Sequence, residues 1–245
     1  MKYLFLLLFT ILTSINASDI KIAVAANVSY AIDDLIKEFN KTHPDVKVVV
    51  TLGSSGKLTA QISNGASFDL FMSANMKYPN RLYEDKIALI EPVVYAQGSL
   101  AMLSNKNIDF SKGINFLKDE RIRRIAIANP KTAPYGKAAF EALQNAKILQ
   151  SIKHKLVYGE SIAQTVSYTL TATDIGIIAK SSLYSSRMSK FKRGVNWIEI
   201  DSKLYTPINQ GIVILKTSKE AKAFYDFILS EKAKKIFLNY GYLTP

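Results

Sequence analysis

The sequence predicts an α/β fold made of two lobes, and three observations support this. Short apolar segments that suit strands alternate with amphipathic segments that suit helices, as in sheets covered by helices. The chain has 245 residues, 48% hydrophobic and 21% charged, which is typical of a globular protein with a packed core. The alternation runs through two successive blocks, which favours two lobes over one large domain.

The first block predicts three strands and two helices. β-branched and apolar runs predict strands at residues 20–25, 46–52 and 69–72. Helices are expected at residues 30–40 and 57–64, since apolar residues of the first share one face and Gly65 suits the C-terminal cap of the second. Two further strands, at residues 91–96 and 100–103, lead into the second block.

The second block repeats this pattern, and the end of the chain is too short for a domain of its own. Strands are expected at residues 124–128, 155–158 and 174–178, with helices at residues 137–146 and 162–171. A last strand at residues 211–215 and helices at residues 219–229 and 231–240 are expected to pack back on the first lobe. The predicted lobes are therefore residues 18–95 with 208–245, and residues 96–207.

Residues 1–17 predict a signal peptide that is cleaved near Ala17. Lys2 precedes an apolar run too short for a comfortable membrane span, and small and polar residues follow it. An uncleaved membrane anchor is the alternative, because the bulky Ile15 stands where a signal peptidase favours a small residue.

Composition and charge exclude several classes of function. Cysteine is absent, and His43 and His154 lie in no metal-binding spacing, so we expect no direct metal-ion ligands and no cofactor. The net charge of +12 suggests that the protein could bind nucleic acid. The basic residues nevertheless fall in short separate groups without interleaved aromatic residues, so we expect none.

Four junctions between a strand and a helix carry the pattern of an anion site. They are AANVS at residues 25–29, GSSGK at 53–57, APYGK at 133–137 and GESIA at 159–163, two in each block. The start of a helix exposes unpaired N–H groups and a partial positive charge, and it attracts anions. Each junction alone is better explained by ordinary helix capping, whereas the set of four favours a ligand between the lobes.

GSSGK also suggests two enzyme classes, and its spacing fits neither well. A phosphate-binding loop needs four residues between its glycines, and only Ser54 and Ser55 stand there. Ser54 and Lys57 form an SxxK pair, but the companion SDN and KTG motifs of such serine enzymes are missing. We expect that the protein is not an enzyme, and an exported serine hydrolase using Ser54 and Lys57 remains the alternative.

Four segments resemble the periplasmic molybdate-binding proteins of ABC importers. They are AANVSYAIDDLIKEF, GSSGKLTAQISNGASFDLFMSAN, APYGKAAFEAL and ILSEKAKKIFLNYGY. The resemblance implies a type II periplasmic-binding-protein fold, a periplasmic monomer, and a ligand cleft between the lobes that takes molybdate or tungstate for an inner-membrane ABC permease. It further implies ligand contacts from Asn27, Ser55, Tyr135 and the backbone of Ile162, supported by Ala26, Ser54, Gly56 and Ser161.

The sequence departs from that family at two positions. Many members have a serine at the position of Asn27 and a ligand-contacting tyrosine at that of Ala179. The hydroxyl of Tyr135 would replace the missing donor, although Tyr135 as a cap or packing residue and Ile162 as a core residue remain alternatives. Molybdate and tungstate offer only acceptors and suit a donor-only site, whereas sulfate and phosphate remain alternative ligands.

Overall fold

The computed structural model describes residues 18–245, and the predicted signal peptide lies outside them. The strands are β1 Ser18–Ala25, β2 Val46–Gly53, β3 Leu70–Met72, β4 Val93–Gly98, β5 Leu100–Leu103, β6 Ile125–Ala128, β7 Leu156–Gly159, β8 Ile175–Ala179, β9 Trp197–Glu199 and β10 Ile208–Ile214. The α-helices are α1 Ile32–Phe39, α2 Ser55–Ser63, α3 Lys77–Glu84, α4 Pro134–Asn145, α5 Leu149–Ile152, α6 Ile162–Thr171, α7 Lys219–Ile228 and α8 Glu231–Asn239.

The strands form two mixed sheets, and this confirms the predicted α/β fold. The first sheet has the order β2-β1-β3-β10-β4 and the second has the order β7-β6-β8-β5-β9. We call the parts of the chain built on them the first and the second lobe. Within each sheet one pair is parallel along its whole length, β1 with β2 and β6 with β7, so the turns that leave both strands of a pair meet at one edge.

Each sheet is covered on both faces. Along β1, Ile22 and Val24 pack with α1, α7 and α8 on one face, while Ala23 packs with α2 and α3 on the other. Along β5, Leu100 and Met102 belong to one core cluster and Ala101 and Leu103 to another. The alternation follows from the two-residue period of a strand. The terminal strand and helices join the first lobe, as predicted.

The chain passes between the sheets twice. It leaves the first sheet between Gly98 of β4 and Leu100 of β5, and it returns between β9 and Ile208 of β10. The predicted lobe limits at residues 95 and 208 lie close to these passages, and the limits themselves stay a prediction. No helix in residues 18–245 is both long and apolar enough to cross a bilayer.

Several elements differ from their predicted limits in ways that matter for the cleft. Helix α2 begins at Ser55 rather than residue 57, and helix α4 begins at Pro134 rather than residue 137. Proline suits the first position of a helix, since its fixed φ is helical and its missing N–H is not needed there. Both shifts bring predicted site residues into first helical turns. Helices α3 and α5 and strand β9 were not predicted.

Candidate functional site

The turns that leave β1 and β2 face those that leave β6 and β7 across a closed cleft between the lobes. Gly56 N–H of the first lobe donates to Thr132 O of the second at 2.9 Å. Ser181 Oγ of the second lobe donates to Asn27 O of the first at 3.3 Å. An ion pair between Lys57 and Glu160 also joins the second and fourth junctions, so all four junctions lie along one interface.

Asn27 lies in a short 3-10 turn, Ala26–Tyr30, directly after β1, and it is fully buried. Its amide nitrogen donates to Gln210 Oε1 at 2.8 Å and to Tyr242 Oη at 3.0 Å. Both amide hydrogens are thus used within the protein. Its Oδ1 is buried and has no partner among the residues that the structure describes. The main-chain N–H is consequently the group of Asn27 best placed to donate to a ligand.

Ser54 and Ser55 begin helix α2, and their hydroxyl groups differ in their partners. Ser55 Oγ accepts from Ala74 N–H at 2.9 Å, which ties the helix to the loop after β3. Ser54 is the N-cap residue, yet its side chain makes no capping hydrogen bond. Ser54 Oγ is buried and lacks a partner within the described chain. An unpartnered buried hydroxyl is a donor available to a ligand.

Tyr135 occupies the first turn of α4 with only 1% of its surface exposed. Its hydroxyl oxygen accepts from Gln210 Nε2 at 3.2 Å. Burial raises the pKa of Tyr135 well above its usual value of 10.0, with the neighbouring tyrosines adding to the effect. The hydroxyl therefore keeps its hydrogen, so it remains a donor.

Ile162 begins helix α6 behind the N-cap residue Ser161, whose hydroxyl accepts from Gln164 N–H at 3.3 Å. The side chain of Ile162 is 4% exposed and belongs to the core cluster that also holds Ala26 and Tyr135. Its side chain is therefore a core side chain, as the packing alternative expects. Its main-chain N–H is in the first helical turn, where no intrahelical acceptor exists, and it remains a potential donor.

Charged groups stand at the margin of the cleft. Lys57 Nζ of the first lobe and Glu160 Oε1 of the second are 2.5 Å apart, with side chains 55% and 57% exposed. Lys57 is thus paired with a carboxylate, and no hydrogen bond joins it to Ser54 in the described structure. Among residues 18–245, no group of three or more His, Cys, Asp or Glu side chains is placed to hold a metal ion.

Sequence reasoning missed the polar side chains behind the cleft: Tyr95, Ser181, Gln210 and Tyr242. Gln210 lies in the strand INQGIVI, two residues from both Ile208 and Ile212, and is fully buried. A polar side chain on the apolar face of a strand was the signal that could have found it. Tyr242 gives no such signal, because its approach to Asn27 depends on how the chain end folds back.

Known proteins are similar to this chain in sequence over most of its length. The sequence profile of the bacterial extracellular solute-binding proteins matches residues 20–243. Molybdate-binding protein ModA of Azotobacter vinelandii is 34% identical over 232 residues, covering 93% of this chain and 90% of that protein. ModA of Rhodobacter capsulatus is 34% identical over 233 residues, covering 93% and 89%.

Comparison with a solved structure shows that the similarity extends to the fold. The periplasmic molybdate-binding protein of Azotobacter vinelandii superposes with a TM-score of 0.85 at 31% identity, covering 92% of this chain and 99% of that one. The resemblance drawn from the sequence, and the two-lobed periplasmic-binding-protein fold that it implied, are confirmed. The chain belongs to the family of bacterial extracellular solute-binding proteins.

Proposed function

We propose that this protein captures molybdate, and tungstate with it, outside the cytoplasm and delivers the ion to an inner-membrane ABC permease. One observation carries the proposal: four first helical turns, two from each lobe, face each other with uncharged donors. The named molybdate-binding relatives support the same ligand class.

The chemistry of the donors suits a fully deprotonated dianion. The contacts we propose are the main-chain N–H groups of Asn27 and Ile162 and the hydroxyl groups of Ser55 and Tyr135. N–H groups at helix starts carry a fixed partial positive charge, so they stabilise an anion without a buried counter-charge. Ser54 Oγ, with no partner in the described structure, is a further donor for the ion.

Closure of the cleft is the proposed signal to the permease. In an open form the ion binds one lobe, and closure adds the donors of the other and excludes water. The contacts of Gly56 with Thr132 and of Ser181 with Asn27 form only when the lobes meet. A permease that binds the closed form selects the loaded protein. We further propose that residues 1–17 are removed near Ala17 and that the protein acts as a periplasmic monomer.

The competing hydrolase hypothesis finds less support. A serine nucleophile needs a base within hydrogen-bond reach, and Lys57 is held by Glu160 instead. We therefore propose a binding protein without enzymatic activity. A penicillin-type probe checks this: acylation of Ser54 would contradict the proposal, and an unlabelled Ser54 agrees with it.

Isothermal titration calorimetry of the mature protein against molybdate, tungstate, sulfate and phosphate tests the ligand. Phosphate belongs in the set because Asn27 Oδ1, a buried acceptor without a partner in the described chain, would suit a protonated oxygen. We expect tight binding of molybdate and tungstate, and a thermal shift equivalent to about 2.7 kcal/mol at a hundred times the Kd. Absence of heat with both ions, or tighter binding of sulfate or phosphate, would refute the proposal.

A further inference from the structure

Behind the proposed ligand contacts lies a buried chain of polar side chains that reaches from one lobe to the other. It links Tyr242 to Asn27, Asn27 to Gln210, and Gln210 to Tyr135. Gln210 lies in β10, at the register shift where this strand pairs with β4. Asn27 and Gln210 are 0% exposed, Tyr135 is 1% exposed and Tyr242 is 2% exposed.

The direction of every hydrogen bond in this chain is set by one main-chain carbonyl. Tyr242 Oη lies 2.8 Å from Asn27 O, which can only accept, so the tyrosine must donate its hydrogen there. The side-chain atom of Asn27 that lies 3.0 Å from the same hydroxyl must then donate, so it is Nδ2. Nδ2 also lies 2.8 Å from Gln210, and the atom it meets must accept, so that atom is Oε1.

The orientation of the Gln210 amide follows, and with it the role of Tyr135. Oε1 also accepts from Tyr95 Oη at 2.9 Å, which agrees with the same orientation. Nε2 is therefore the atom that faces Tyr135, and it donates to the phenol oxygen at 3.2 Å. The Tyr135 hydroxyl is thereby left with a hydrogen to donate, and no protein acceptor for it is found within residues 18–245.

The side chain of Tyr135 is packed closely against β4, and this restricts its conformation. A side-chain carbon added at Gly98 of β4 would overlap the Tyr135 hydroxyl oxygen, so the phenol fills the space against the strand. The same added carbon would lie 3.0 Å from Gln210 Nε2. Glycine at this position lets β4 approach both groups closely.

We propose that Gln210 is a positioning residue, which fixes the Tyr135 hydroxyl as a donor to the bound oxyanion. This inference rests on the proposed function, because it takes Tyr135 as a ligand contact. It also assigns a specificity role. A hydroxyl held as a donor stabilises a fully deprotonated oxygen and leaves the proton of hydrogenphosphate without an acceptor at that point.

A double-mutant cycle on molybdate affinity tests the assignment. Gln210→Met removes both polar groups at similar length, and we expect molybdate binding to weaken about tenfold. In a Tyr135→Phe background there is no hydroxyl to orient, so the same substitution should change the Kd by less than about twofold. Equal weakening in both backgrounds would overturn the proposal, because Gln210 would then act only through strand β10, where the chain returns to the first lobe.

Gln210→Glu gives a second readout that does not depend on how well the methionine variant packs. The carboxylate accepts the Tyr135 hydrogen, which turns the phenol oxygen toward the cleft as an acceptor. The new charge opposes both dianions, so the ratio of molybdate affinity to phosphate affinity is the measurement. We expect this ratio to fall at least about tenfold. An unchanged ratio would overturn the proposal.

Tyr205→Phe is the matched control, since Tyr205 Oη accepts from Leu100 N–H at 3.1 Å beside the same passage between lobes but outside this chain of groups. We expect its molybdate Kd to stay within about twofold of the wild type. A loss equal to that of Gln210→Met would mean that any weakened contact at the passages between the lobes lowers affinity, and it would count against Gln210. If the wild type gives no heat with molybdate, the proposed function fails instead.

Discussion

Gly56→Ala offers a direct test of whether the lobes close as the structure has them. A methyl carbon at this position would lie 2.9 Å from Thr132 O of the opposite lobe and 2.6 Å from Tyr78 Oη of its own lobe. Ordinary contacts between carbon and oxygen are about 3.3–3.6 Å. Closing the cleft therefore requires a main-chain carbonyl to move by several tenths of an ångström. Tyr78 can shift more cheaply, because its hydroxyl is the end of a side chain.

The magnitude follows from the cost of overpacking. Forcing an extra methyl group into a close-packed contact costs about 1–3 kcal/mol, and we expect molybdate to bind about 5- to 150-fold more weakly. The substitution should stabilise the open, ligand-free form against unfolding, because alanine is favoured over glycine within a helix by about 1 kcal/mol. The ligand-free variant should thus unfold at the same temperature as the wild type or higher.

Calorimetry with molybdate and a thermal melt without it measure the two effects separately. Small-angle X-ray scattering should show that molybdate decreases the radius of gyration less for the variant than for the wild type. Tyr78→Phe in the Gly56→Ala background relieves the contact with the hydroxyl and leaves the Thr132 carbonyl, so it should restore little affinity. Wild-type affinity in Gly56→Ala would refute this description of the closed cleft, and so would full restoration by Tyr78→Phe.

Four further substitutions test the cleft and its surroundings. Glu160→Gln removes the exposed ion pair with Lys57, and such pairs contribute at most about 1 kcal/mol. Calorimetry should therefore find molybdate binding weakened by at most about fivefold, and the difference from wild type should vanish at high salt. A larger loss that does not depend on salt would contradict this. Ser54→Ala should lower molybdate affinity without lowering the thermal stability of the ligand-free protein. Ser55→Ala should lower both, because the Ser55 hydroxyl also accepts from the main-chain N–H of Ala74. Equal unfolding temperatures of the two ligand-free variants would disprove the distinction. Burial raises the pKa of Tyr30 from 10.0 to about 12, so Tyr30 loses its proton at lower pH in the unfolded state than in the folded state. The free energy of unfolding should therefore fall as the pH rises above 10. In denaturant titrations at alkaline pH, Tyr30→Phe should make this fall less steep, and an unchanged pH dependence would count against the prediction.

The fold could be predicted from local pattern because each lobe repeats one simple arrangement. Strand β5 and helix α6 have their predicted limits, since apolar periodicity and a serine N-cap determine them. Helix α3 escaped prediction because its stretch, KYPNRLYE, contains an internal proline and few apolar residues. Its buried side, which includes Pro79 and Leu82, is defined by the rest of the lobe.

The candidate site was predictable only as far as helix starts mark it. Ser55, Tyr135 and Ile162 all lie in first helical turns, and their junctions are visible in the sequence. The Asn27 side-chain amide is committed to Gln210 and Tyr242, and the sequence could not show this. These partners lie more than 180 residues away in the chain, and no local pattern encodes such a contact.

The same geometry explains why closure should depend on the ligand. Ser54 Oγ is buried without a partner in the described structure, and leaving such a group unsatisfied costs about 1–3 kcal/mol. Contacts between the lobes, such as that of Gly56 with Thr132, are hydrogen bonds that each contribute about 0.5–1.5 kcal/mol. The penalty is similar in size to one or two of these contacts and opposite in sign, so it reduces what closure without an ion gains. An oxyanion that accepts from Ser54 removes the penalty and leaves the contacts between lobes, which shifts the equilibrium to the closed form.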